Sequence, residues 1–184
     1  MGKSGWWVGV DLNHQSLSDM QSSGMPYRTT FFRMEFAVPS FKGSYAYSVD
    51  NKGRINIPAR LRKYVSTEAN DTFIVTRGFE QCLFVYPLDE WNKLEASIGQ
   101  LSTTNAQHRF FMRALLERAT ELELDNQSRL SIPKELLQFA GIENEVLIIG
   151  VLEHIEIWNP GMYEQYMKMQ AQSYESVAQT VLQK

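Results

Sequence analysis

One cysteine, Cys82, is all that the 184-residue chain contains, which excludes an intramolecular disulfide and suits a reducing compartment. It lies in an apolar, strand-like run and reads as a buried, inert thiol. The three histidines, His14, His108 and His154, stand in unrelated contexts without ligand spacing, which argues against a zinc or haem site. There is no glycine-rich phosphate loop and no Ser or Cys in a nucleophile-elbow context. The longest strongly apolar run, Val146–Leu152, is far too short to cross a bilayer. The Trp6–Val10 patch is closed off by Asp11 and lacks the length of a signal-peptide core. These absences argue against an enzyme, a metal, a cofactor, a small-molecule substrate and a membrane partner.

What is present is an ordinary soluble-globular composition, 43% hydrophobic and 21% charged, long enough for one good core or two small ones. Within it one stretch occurs twice. Asp50–Tyr64 aligns with Asp125–Phe139, sharing Asp, Asn, Arg, Ile, Pro and Leu, and Ile55/Leu130, Asn56/Ser131 and Tyr64/Phe139 are chemically close. Such self-similarity points to one structural unit copied and fused.

Each copy alternates apolar and polar residues up to its Asp, passes through turn-formers, and alternates again. That pattern predicts a β-hairpin or tight β-corner, with Gly53 at a positive-φ position. Ser128 replaces Gly53 in the second copy, so the backbone there is expected to be less extreme or mildly strained. Asp50 and Asp125 each have an Arg four residues on, Arg54 and Arg129. The carboxylate can cap turn amides and pair with that guanidinium, or the Arg can project toward a partner. Pro58 and Pro133 fall where a helix would start at its first position.

Charge is unevenly spread. Residues 41–65 carry Lys42, Lys52, Arg54, Arg60, Arg62 and Lys63 against Asp50 alone, whereas residues 141–184 carry six Glu and two Lys. That asymmetry says more than the formal net charge of −3 and favours a polyanionic partner. Arg suits bidentate contact with guanine or phosphate, so Lys52, Arg54, Arg60, Arg62 and Lys63 are the candidate binding residues.

Five segments follow. Residues 1–40 form an N-terminal extension, expected to be disordered, with Met34 the expected start of the patterned protein. Residues 41–88 are the first repeat, with a hairpin over Phe73–Tyr86 turning near Gly78–Glu80. Residues 89–116 are a helical connection: one helix over Leu88–Ile98, and a second over Thr103–Ala119 with Phe110, Phe111, Ala114 and Leu115 as its stripe. Residues 117–160 are the second repeat, with a hairpin over Val146–Trp158. Residues 161–184 are a single Tyr- and Met-rich C-terminal helix.

The stretch Phe41–Arg62 resembles the first Asp-x-x-x-Arg repeat of the MraZ family of bacterial transcriptional regulators, and Asp125–Arg129 resembles the second. The resemblance implies an α+β fold, a duplicated swapped-hairpin AbrB-like (SpoVT/AbrB-type) β-barrel with attached helices, completed within one chain. It further implies a ring-shaped homo-oligomer bound to double-stranded DNA at G-rich direct repeats. Those repeats would lie in the promoter of the division and cell-wall gene cluster, which the protein would repress from a cytoplasmic, nucleoid-associated location. It adds Arg129 to the DNA-binding candidates and leaves Asp50, Gly53 and Asp125 as turn-structural residues. The alternative is an oligomeric scaffold in which the Asp–Arg turns lock subunits together. Contact between subunits is expected from the helical faces around Trp91, Phe110 and Phe111 and from the C-terminal helix.

Overall fold

The computed structural model describes residues 40–183; the expectations for the N-terminal extension, Met34 included, lie outside them. Eight strands and six helices follow in order. They are β1 (Phe41–Ser48), β2 (Arg54–Asn56), α1 (Ala59–Arg62), β3 (Thr72–Arg77), β4 (Leu83–Pro87), α2 (Leu88–Ile98) and α3 (Ala106–Leu116), then β5 (Thr120–Glu123), β6 (Arg129–Ser131), α4 (Lys134–Phe139), β7 (Glu145–Leu152), β8 (His154–Trp158), α5 (Pro160–Lys168) and α6 (Tyr174–Leu182). A 3₁₀ turn at Thr67–Ala69 precedes β3.

The strands pair across the repeats. A six-stranded antiparallel sheet runs β1-β7-β8-β4-β3-β5, and β2 pairs with β6 in a separate two-stranded ribbon. The first strand of each copy therefore leaves its own hairpin and joins the other: β1 lies on β7, and β5 on β3. Exchanging β1 with β5, β3 with β7 and β4 with β8 returns the same strand order reversed, so the two copies are related by a pseudo-two-fold axis. That axis passes between β4 and β8 and through the facing pair Ile55 and Leu130 of the ribbon. The fold is thus α+β with interlocked hairpins, as the repeat and the family resemblance implied.

The ribbon closes over the sheet. Ile55, Ile57, Leu130 and Ile132 from the ribbon meet Phe73, Val75, Leu83, Val85, Val146, Ile148, Ile155 and Ile157 from the hairpins, all buried. Both copies supply this core about equally, so either alone would leave an apolar strand face in water. Smaller clusters seat the helices. Trp91 and Ile98 of α2 and Leu115 of α3 cover Ile74, while Tyr163 and Tyr166 of α5 pack on Trp158. A buried bond from Thr76 Oγ1 to the Leu115 carbonyl, 2.6 Å, ties α3 to the sheet.

At 41–57, where the pattern allowed a hairpin or a tight corner, the structure has the corner: β1 has its ladder with β7, and only a Val49–Ile55 bridge joins the arms. Several other local expectations change. Pro58 and Pro133 occupy the N-cap, one place before the expected position, because their extended ψ of 132° and 140° is non-helical. The helix expected over Thr103–Ala119 is shorter, since Asn105 caps it, its Oδ1 accepting from the Gln107 and His108 amides at 2.8 and 3.4 Å. The single C-terminal helix is two, because Ser173 Oγ accepts from the Ser176 amide and starts a new helix after α5. Trp91, expected at a subunit surface, is only 4% exposed and is spent on the core. Cys82 is fully buried, and burial, then Glu156 and Glu80, push its thiol well above the ordinary range.

Candidate nucleic-acid interface

Each Asp–Arg turn is built by one carboxylate. In the first, Asp50 Oδ1 accepts from the Lys52 amide at 2.9 Å and the Arg54 amide at 3.0 Å, while Oδ2 accepts from Arg54 Nε at 2.7 Å. Arg54 Nη2 lies 2.6 Å from the same Oδ2. The second repeats it: Asp125 Oδ1 accepts from Gln127 and Arg129 amides at 2.9 and 3.0 Å, and Oδ2 from Arg129 Nε and Nη2 at 2.9 and 2.7 Å. The Gly53 and Ser128 amides close the turns on the Asp50 and Asp125 carbonyls at 2.9 and 2.7 Å.

That closure needs a left-handed residue. Gly53 has φ 73° and Ser128 φ 61°, so the second copy keeps the geometry and accepts the strain. The hydrogen bonds from Arg54 and Arg129, followed by turn amides, hold the Asp50 and Asp125 carboxyls at about 2. Both are therefore ionised acceptors at neutral pH, unsuited to proton transfer.

The pseudo-two-fold brings the turns together. The Ile57 amide donates to the Ser128 carbonyl and the Ile132 amide to the Gly53 carbonyl, each at 3.0 Å. Arg129 Nη1 comes within 3.7 Å of Asp50 Oδ2, and Asn56 Nδ2 donates to the Gln127 carbonyl at 3.1 Å. Ser131, in the place equivalent to Asn56, is too short to return that bond. The four charged groups of the two turns thus form one nearly neutral, half-buried cluster.

Most of the cations near that cluster come from the first copy. Lys52 on the turn and Arg60 and Lys63 on and after α1 are exposed, with Lys63 Nζ 4.9 Å from the Tyr64 ring. Arg62 is half-buried, and its Nε donates to the Ile57 carbonyl at 3.1 Å, which anchors α1. The equivalents of Lys52, Arg60, Arg62 and Lys63 in the second copy are Gln127, Glu135, Leu137 and Gln138. Sequence reasoning missed Lys134. It lines the same surface groove as Lys52, with Asp50, Gly53 and Leu137, because α4 of the second copy packs beside the first turn. Nothing local in the sequence could have signalled a neighbour brought in by strand exchange.

With four residues, α1 is too short to serve as a recognition helix, so base contact would fall to the turns. Among the described residues no three His, Cys, Asp or Glu side chains converge as a metal-holding group, and no helix is long and apolar enough to cross a membrane.

Comparison with known proteins adds to this geometry. A family model described as "MraZ protein, putative antitoxin-like" matches residues 40–114 and again 115–184. The chain is 39% identical over 142 residues to a protein of Natranaerobius thermophilus named "Transcriptional regulator MraZ", covering 77% of this chain and 96% of that protein. Proteins of the same name from Halothermothrix orenii and Alkaliphilus metalliredigens are 43% and 44% identical over 138 residues, covering 75% of this chain and 94% of each.

Proposed function

The chain belongs to the MraZ family, and from that premise we propose that it is a DNA-binding transcriptional regulator whose contact surface is the joined pair of Asp–Arg turns with α1. The observation that carries this reading is the single patch in which both turns meet, flanked by exposed Lys52, Arg60 and Lys63 and by Lys134 from the other copy. Lys52, Arg60 and Lys63 bind phosphates, Arg62 holds α1 in place while offering its remaining N–H groups, and Arg54 and Arg129 present their outer guanidinium edges to base or phosphate. Asp50, Gly53 and Asp125 shape the turns. We extend the proposal to G-rich direct repeats in the promoter of the division and cell-wall gene cluster. Repression there would be exerted from the cytoplasm, at the nucleoid.

One patch offers too few contacts for an affinity of roughly 10⁻⁸ M or tighter. Several chains, arranged as a ring, therefore bind several repeats together, linked contacts raising avidity by about 10²–10⁴.

A second reading has an observation of its own. Arg54 and Arg129 are already paired with their turn carboxylates, as they would be if the turns were purely structural parts of an oligomeric scaffold. One titration separates the two: the protein against duplexes from its own upstream region with one to four repeats, over a salt series. Regulator binding weakens steeply as salt rises and tightens with repeat number, and inserting half a helical turn between repeats abolishes the gain. Arg54→Ala costs about 1–3 kcal/mol of specific binding with the fold intact. Binding indifferent to salt and to repeat number would leave the scaffold reading.

A further inference from the structure

The two copies differ at their outer ends, and the differences are complementary. In the first copy five residues link β3 to β4, and Phe79 from that link stands over α3, 73% exposed. Together with Gly78, Phe110, Phe111 and Ala114 it lines an apolar groove of about 190 Å³, rimmed by Arg77. Phe110 is 74% exposed there, and the Phe79 and Phe111 rings lie 6.4 Å apart. In the second copy a single residue joins β7 to β8, so the link carries no aromatic residue, and Tyr174 and Val177 of α6 share an open groove with Tyr166 and Met167 of α5. The pseudo-two-fold makes α6 the counterpart of α3, yet α6 has no buried residue and shows a stripe of Tyr174, Val177 and Val181 to solvent. One end of the chain is a socket without a filler, and the other is an apolar helix without a seat.

Charge follows the same division. On the socket side Arg109 Nη1 donates to the Thr103 and Thr104 carbonyls at 2.8 and 2.9 Å, and Arg118 lies 3.5 Å from Glu117. Arg113, one turn from Phe110, makes no ion pair among the described residues. On the helix side Lys168 pairs with Glu164 at 2.5 Å, leaving Glu175, beside Tyr174, likewise without an ion pair among them.

We propose that α6 of one copy seats its Tyr174–Val177–Val181 stripe in the Phe79–Phe110–Phe111 groove of the next, with Glu175 facing Arg113. The contact is heterologous: socket and plug lie at different ends of each chain, so copies add in one direction and stop only by closing a ring. This rests on the multi-copy reading above and gives it its polarity.

The test uses the full chain and two single variants, Val177→Arg (plug lost) and Phe110→Arg (socket lost), with mass read by sedimentation velocity. Wild type sediments as more than two chains and each variant alone as a monomer. An equimolar mixture gives a two-chain species and nothing larger, because the one intact plug meets the one intact socket. A wild type that is a monomer or a simple dimer, a variant that keeps wild-type mass, or a mixture that rebuilds the full assembly overturns the proposal. Circular dichroism checks that each variant is folded. Glu175→Arg, which alters no packed side chain, lowers the mass, and adding Arg113→Glu to the same chain restores it; failure of that rescue also overturns it. Neither surface overlaps the turn patch, so binding to a single-repeat duplex stays at the wild-type level in both monomers. Absence of that binding in wild type and variants alike, with the mass pattern as expected, condemns the DNA reading and leaves the docking standing.

Discussion

Gly53 and Ser128 hold the same corner in the two copies, at φ 73° and 61°, so exchanging their residue types perturbs one geometry in opposite directions. A left-handed non-glycine residue costs about 1–2 kcal/mol, while the freedom a glycine brings to the unfolded chain returns about 0.4–1 kcal/mol of that. Ser128→Gly should therefore stabilise the protein by about 0.5–1 kcal/mol, since the Ser128 hydroxyl makes no hydrogen bond among the described residues. Gly53→Ser runs the other way and meets an added obstacle. A Cβ at that position would lie 3.1 Å from both the Ile132 carbonyl oxygen and Leu137 Cδ1, and the carbonyl accepts no displacement without moving the ribbon. Its expected cost is about 1–2 kcal/mol, a drop of roughly 2–4 °C in Tm for each kcal/mol in a chain of this size. Urea unfolding at one fixed protein concentration reads both, as midpoint shifts at unchanged slope. A lowered midpoint for Ser128→Gly, or an unmoved one for Gly53→Ser, would refute the claim that the second turn carries strain the first avoids.

Gly150→Ala places a Cβ 2.4 Å from Lys42 N and 2.6 Å from the Phe41 carbonyl carbon, both backbone. It should cost about 1–3 kcal/mol and speed amide exchange along β1, whereas an unchanged midpoint would mean that β1 is not held this closely. The Asp50 and Asp125 carboxyls sit at about 2 against an ordinary 3.8, so the stability they add is complete above about pH 4 and lost as pH falls through 2. Thermal midpoints of the Asp50→Asn, Asp125→Asn double variant should accordingly converge with wild type between pH 4 and 2, and parallel curves would count against the paired turns. Native Cys82 should resist a disulfide reagent at pH 8 and react fully in denaturant; fast native labelling would contradict its burial.

The duplication, the two turns and the uneven charge were legible in the sequence, because each is local: a spacing of four between Asp and Arg, a glycine at a corner, cations close along the chain. The α2 helix was legible to its ends for the same reason, as its apolar face repeats with the helical period between a proline and a glycine. Capping residues set the ends of α3 and the break between α5 and α6, and the apolar stripes alone ran past them. Ser128 showed that a closing hydrogen bond can impose a backbone the residue does not prefer.

Everything that depends on strand exchange came instead from the packing of the folded chain. No periodicity states that β1 pairs with β7 and β5 with β3, because alternation fixes which face of a strand is apolar and leaves its neighbour open. From that pairing come the pseudo-two-fold, the meeting of Arg129 with Asp50, and Lys134 beside Lys52. Which residues turn and which carry charge is written locally along the chain. Their assembly into one patch follows from burial: neither hairpin can cover its apolar face alone, and the first strand and ribbon strand of each copy reach the core only by crossing to the other.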